Sequence, residues 1–392
     1  MSRLEYRLAS ALLRLARLFF SPLRVRRNRV VLATARVPVL EGNLLHIDGA
    51  IRRRRPDLEV ILLLEPYGYG LAAKVAYLVR LLRGMYYLQT ARLFVVDNAY
   101  LPIHVAPHKP ATTVVQVWHA AGALKRFGLD THTPPAEPER TFLHRYYDAV
   151  VVGGDWTRAP YAAALRTPVE RVVALGSPRT DLFFDVGAMD AARERVLGAH
   201  PDLAGRRVVV YAPTFRGRGI AKRAATGLDA EQLRASLPDD HVLVLKTHPN
   251  LDPSATATAG YDVVVDPATE INDLLVLTDV LITDYSSSVV EFALLHRPIV
   301  LLVDDLAEYE VDPGLYLDYR TEMIGTQVTD TDGVIAAIRD GRFDLTDYDA
   351  FLDRQLGPGR GGAADRFVDR FLARRPAVEQ GGGTLPRDVR HE

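Results

Sequence analysis

Short runs of valine, isoleucine and leucine recur along this chain, and a helical stretch follows nearly every one. "NRVVLATA" (28–35) reads as a buried strand, "GNLLHIDGAIRRRRP" (42–56) as a helix ending before Pro56, and "LEVILLLEP" (58–66) as the next strand. A helical stretch over roughly 70–92 comes next, followed by the strand-like runs "ARLFVVDN" (91–98), "TTVVQVWHA" (112–120), "AVVVGG" (149–154) and "RVVALGSPR" (171–179). A strand apolar on both faces must be covered on both, so the alternation predicts an α/β fold with parallel sheets. A second set follows "ARERVLGAHPDLAGRR" (192–207): "VVVYAPTFRG" (208–217), "HVLVLKTHPN" (241–250), "YDVVVDP" (261–267), "VLITDYSSS" (280–288) and "RPIVLLVDD" (297–305). With a hinge near 185–205, the chain divides into two Rossmann-like lobes facing across a cleft, residues 30–190 and 191–375, the second carrying the C-terminal helices. The polar, glycine-rich tail 376–392 is expected to be disordered.

Composition narrows the chemistry. The 392 residues contain no cysteine, which excludes disulfides, thiolate metal sites and a cysteine nucleophile, and fits a reducing compartment. A net charge of −1 predicts no nucleic-acid partner for the chain as a whole. Residues 1–29 depart from that balance. They hold Arg3, Arg7, Arg14, Arg17, Arg24, Arg26, Arg27 and Arg29 against Glu5 alone, with Leu4, Leu8, Ala11, Leu12, Leu15, Leu18 and Phe19 at helical spacing. No run reaches the ~18 apolar residues of a spanning helix. Arginines interrupt the apolar part and no small-residue cleavage site follows, unlike a signal peptide. Two readings stand: an amphipathic helix on an anionic membrane surface, or one packed on its own lobe with a solvated basic face.

In doubly wound sheets, ligands bind beyond the carboxyl ends of the strands. At one such end, "VLIT" gives way to Asp284-Tyr285-Ser286-Ser287-Ser288 and then to the helix "VVEFALL". Unpaired helix N–H groups and serine hydroxyls make that corner a candidate phosphate site, though serine also simply caps helices. Glu291, a turn further in, could reach sugar hydroxyls. Other strand ends carry Thr214 and Arg216, Lys246 and His248, Ser177 and Arg179, and His119 followed by Gly122 and Lys125. Each alone has a structural explanation. Together they place cations, hydroxyls and two histidines on one face of two facing sheets, as a nucleotide-diphosphate ligand requires.

"WHAAGALKRFG" (118–128), "LGSPRTD" (175–181), "YAPTFRG" (211–217), "LKTHPN" (245–250) and "INDLLVLTDVLITDYSSSVVEFALLHRPIVLLVDDLAEY" (271–309) occur in an order that resembles the CDP-glycerol glycerophosphotransferases of teichoic-acid synthesis. The resemblance implies a GT-B fold and a CDP-polyol donor, CDP-glycerol first and CDP-ribitol as the alternative, with no further cofactor. It also implies a lipid-linked glycan or polyol-phosphate acceptor and peripheral attachment to the cytoplasmic face of the plasma membrane. By position, His119 takes the place of the family's first motif histidine, the general base, and His248 that of the second. Arg179, Asn272, Asp273, Asp284, Ser286, Ser287 and Ser288 fall on donor-binding motifs. Thr214, Arg216 and Glu291 join the donor side, and Gly122 and Lys125 the acceptor side. One departure is Ala120-Ala121-Gly122 where the family has Gly-Thr after the histidine, which bears on the acceptor. The chain's length resembles priming members. "VDD" (303–305) reads as a capping pair rather than a metal motif, so no metal is expected. Rival readings are another GT-B transferase, a non-catalytic membrane-peripheral scaffold and a nucleotide-sugar epimerase.

Overall fold

The computed structural model describes residues 3–64, 71–132, 144–217, 225, 227–247 and 257–373; His248 and the tail 376–392 lie outside them. Strands β1 (Arg26–Thr34), β2 (Glu59–Leu64), β3 (Ala91–Val96), β4 (Thr113–Gln116), β5 (Ala149–Val152) and β6 (Val172–Ala174) form one sheet, ordered β2-β1-β3-β4-β5-β6. Strands β7 (Arg207–Tyr211), β8 (His241–Lys246), β9 (Val263–Val265), β10 (Val280–Thr283), β11 (Ile299–Leu302) and β12 (Thr326–Val328) form a second, ordered β12-β11-β10-β7-β8-β9. Every pairing is parallel. β12 has no apolar run to announce it; its three residues are all half-buried.

The unbroken apolar runs are explained by cover on both faces. Val31 and Ala33 of β1 pack in one cluster with Leu13, Leu81 and Met85, from the helices Arg3–Phe20 and Leu71–Thr90. Val30 and Leu32 pack in another with Leu44, Ile47 and Ile51 of the helix Gly42–Arg54, and with Phe367. Each fully buried valine or leucine contributes about 1.5–3 kcal/mol relative to exposure.

Two segments depart from the lobe boundaries read from sequence. Helix Ala363–Leu372, expected in the second lobe, packs on the first: Phe367, Val368 and Leu372 join the cluster of helix Gly42–Arg54, and Asp365 pairs with Arg53. Asp181 accepts from the backbone N–H of Ala363 and Ala364, anchoring the helix start. The basic segment 1–29 is not one helix either. The helix ends at Phe20, β1 begins at Arg26, and Arg29 is buried in the first lobe, paired with Glu59. Pairing with β2 sets Arg29 opposite Glu59, and that ion pair offsets the cost of burying the guanidinium.

The strand orders position the site. In the first sheet the winding reverses at β1, between β2 and β3; in the second it reverses at β7, between β8 and β10. Loops leaving such neighbouring strands diverge and open a crevice at their carboxyl ends.

Candidate functional site

The two crevices open onto a shared cleft of about 660 Å³, within the usual range for ligand sites. Arg36, Glu41, His119 and Arg179 line it from the first lobe. Thr214, Lys246, Glu270, Ser286, Ser287, Ser288 and Glu291 line it from the second. A hollow of about 770 Å³ elsewhere on the second lobe has two of its three arginines, Arg320 and Arg354, paired with Glu310 and Glu322, and it holds none of the strand-end residues.

His119 follows β4. Its Nδ1 lies 3.1 Å from the backbone oxygen of Asp97, beyond β3. A carbonyl only accepts, so Nδ1 carries the hydrogen and Nε2 is the basic nitrogen. The imidazole stacks on Trp118, with ring centroids 4.5 Å apart.

Arg179 joins the lobes. Its guanidinium donates to the backbone oxygen of His119, lies 2.9 Å from Glu270 and 3.2 Å from Glu291, and is almost fully buried. Burial, opposed by Arg179, pushes the Glu291 carboxyl up to about 7. Glu291 Oε2 is buried without a hydrogen-bond partner among the described residues, so a buried acceptor is available beside the cleft.

The serine corner differs from its sequence reading. Its helix, Ser288–Ala293, is six residues long. Ser288 N–H and Oγ–H both donate to Ser286 Oγ, Val289 N–H bonds Ser286 O, and Val290 N–H bonds Ser287 O. Tight turns therefore absorb these N–H groups, and the hydroxyls are what the corner brings to the cleft.

Behind the corner, Asp284 accepts from Thr214 N–H (2.9 Å), Thr214 Oγ1 (2.9 Å) and Arg216 Nη1 (2.8 Å), and Arg216 also pairs with Asp305. Asp284 and Arg216 were expected to touch donor. They instead form a buried brace across the β7–β10 crevice, because adjacent strands bring their opposite charges together. Asp305 of "VDD" makes no side-chain cap; its carboxylate accepts from Arg216 and Tyr285.

Asn272 and Asp273 turn to a neighbouring hollow of about 160 Å³ lined by His46 and Arg195. Asp273 pairs bidentately with Arg195, and Asn272 Nδ2 donates to Arg179 O. Gly122 is not in the cleft. A Cβ there would stand 2.6 Å from Gln355 Oε1, so small residues after His119 serve packing against helix Tyr348–Leu356. Lys125 lies outside the cleft lining as well, 3.4 Å from Tyr309 Oη. Lys246 braces its own lobe: Nζ donates to Asp266 O and Pro267 O, and burial pulls its pKa down to about 8. Sequence reading missed Asn43, Arg36, Glu41, Asp97 and Glu270. Arg36 and Asp97 each follow a strand of the first sheet, a signal that could have found them. Among the described residues no group of three or more His, Asp or Glu is arranged to hold a metal ion.

The chain is 31% identical over 361 residues to the teichoic acid ribitol-phosphate primase of Bacillus spizizenii, covering 89% of this chain and 92% of that protein. It is 27% identical over 283 residues to the teichoic acid glycerol-phosphate primase of Bacillus subtilis, covering 70% and 72%. A solved structure of the wall teichoic acid polymerase TagF superposes with a TM-score of 0.75 at 21% identity over 93% of each chain, so the two facing lobes are a GT-B-like fold. A family model described as CDP-Glycerol:Poly(glycerophosphate) glycerophosphotransferase matches residues 15–373, and with a histidine and a serine corner meeting across one interlobe cleft, the chain belongs to that family.

Proposed function

We propose that this chain transfers a polyol phosphate from a CDP-polyol to a hydroxyl of a lipid-linked acceptor in the synthesis of teichoic acid or a related wall polymer, releasing CMP. One observation carries the reading: His119, the Ser286–Ser288 hydroxyls and Arg179 line the same cleft. The acceptor hydroxyl gives its proton to His119 Nε2 as its oxygen forms a bond to the β-phosphorus. The bond from that phosphorus to the bridging oxygen breaks, and CMP leaves with the electron pair. A base at that position is worth about 10²–10⁴-fold. Serine hydroxyls and Arg179 stabilise charge building on the phosphoryl oxygens. Arg179 is already shared with Glu270 and Glu291, and Glu291, with its pKa near 7, sheds charge by protonation as the diphosphate arrives. His248, in the place of the second motif histidine, donates to the leaving or transferred phosphate.

Glycerol phosphate is the group the motifs first suggest. Ribitol phosphate is favoured by the ribitol-phosphate primase at 31% identity. It is also favoured by the carboxylates of Glu41, Glu270 and Glu291 around the cleft, which suit a polyol with more hydroxyls. CMP release by the purified protein, given CDP-glycerol or CDP-ribitol with and without a lipid-linked acceptor, decides the donor. Absence of CMP with both would reject the proposal.

The same reading places the chain on the cytoplasmic face of the plasma membrane. No helix among the described residues is long and apolar enough to cross a membrane. Helix Arg3–Phe20 buries Tyr6, Ala9 and Leu13 against the first lobe, while Leu4, Leu8, Leu15, Leu18 and Phe19 are exposed along an outward arc of roughly 100°. Failure of the chain to sediment with anionic vesicles would remove that placement, and sedimentation that persisted after these five were changed to serine would remove the helix as its anchor.

A further inference from the structure

Asn43 sits in the first turn of helix Gly42–Arg54, directly beyond β1 and its loop, and is 3% exposed. Its Nδ2 donates to Val117 O at 2.9 Å and to Trp118 O at 3.0 Å. Its Oδ1 accepts from Arg179 N–H at 2.9 Å and from Ser177 Oγ at 3.3 Å. One amide thus ties the loop carrying His119 to the loop carrying Arg179, using both its donors and its acceptor oxygen.

The segment it holds is in a backbone conformation that side chains other than glycine rarely adopt. Trp118 has φ of 51°, in the left-handed region. Its N–H donates to Gln116 Oε1 at 2.8 Å, and its carbonyl is one of the two that Asn43 holds. That turn lays the indole on the imidazole and points His119 Nδ1 at Asp97 O. The backbone oxygen of Asp97 fixes the Nδ1–H tautomer, and its reach depends on where the turn is pinned.

We propose that Asn43 is a positioning residue of the transfer site, bonding both loops at once so that His119 is held as the Nδ1–H tautomer facing the serine corner beside Arg179. This rests on His119 as the base, as argued above. An aspartate in its place has the same shape but only acceptors, and would oppose the two carbonyls the amide now holds.

The test uses the full chain with Asn43→Ser and Asn43→Asp. Nitrogen-15 spectra of imidazole-labelled protein, with the His119 signal assigned by its loss in His119→Gln, report the tautomer without substrate. Wild type is expected as Nδ1–H, and Asn43→Ser as a mixture with Nε2–H. The kcat for CMP release should fall about 10²-fold, as for an ångström-scale misplacement, and further for Asn43→Asp. The donor KM should stay within about threefold because Glu270 and Glu291 still hold the Arg179 guanidinium. Variants that melt earlier yet keep the tautomer, kcat and pH profile of wild type would make Asn43 a packing residue and overturn the proposal. A wild type found as Nε2–H overturns it whether or not either variant folds. Wild type that releases no CMP from either CDP-polyol rejects the functional reading, and the tautomer comparison still decides Asn43.

Discussion

Asp284→Asn separates a brace from a donor contact. The carboxylate is 2% exposed and accepts three hydrogen bonds, from Thr214 N–H, Thr214 Oγ1 and Arg216 Nη1. Asparagine keeps one oxygen, which can still accept from Thr214 N–H. Its amide nitrogen then faces the Arg216 guanidinium, donor against donor. Breaking a buried ion pair from one side typically costs 3–5 kcal/mol. Arg216 keeps Asp305, so the lower end applies, about 3 kcal/mol. For a folding unit of 150–250 residues each kcal/mol moves Tm by about 2–4 °C, so a fall of roughly 6–12 °C is expected. Calorimetry measures it, and donor KM is then read well below the variant's melting range, where it should change by less than about tenfold. A Tm within about 2 °C of wild type together with a donor KM raised about a hundredfold would refute the brace and make Asp284 a direct donor ligand.

Three further outcomes are expected. His119→Ala should lower kcat by about 10²–10⁴-fold with little change in donor KM, read as CMP release. Glu291 has a folded pKa of about 7, above its ordinary value of 4.5, so the folded state holds the proton longer. Its stabilising share is full below about pH 4.5 and is lost as pH rises to about 7, and Glu291→Gln should flatten that part of a Tm-against-pH curve. Gly122→Ala forces a methyl against Gln355 Oε1 and Val290 Cγ2, and should cost about 1–3 kcal/mol in thermal melts while leaving donor KM unchanged.

What could be read in the linear chain follows from local physics. Runs such as "VVLA" are apolar at every position, which a strand tolerates only between two layers of helices, so the parallel α/β character and eleven of the twelve strands were legible. Strand ends bearing His119, Arg179, Thr214 and the serines were legible too, because such ends are where doubly wound sheets bind ligands. Strand order is not written locally. Only the pairing of β10 with β7 puts Asp284 against Arg216, 68 residues away, and turns two expected ligands into each other's partners. Only the fold brings Asn43 to the turns at 118 and 179, and returns helix Ala363–Leu372 to the first lobe. A residue's type and its neighbours in sequence determine what it can bond. Which groups come within 3 Å of it depends on packing between segments far apart in the chain, and there tertiary structure alone decided.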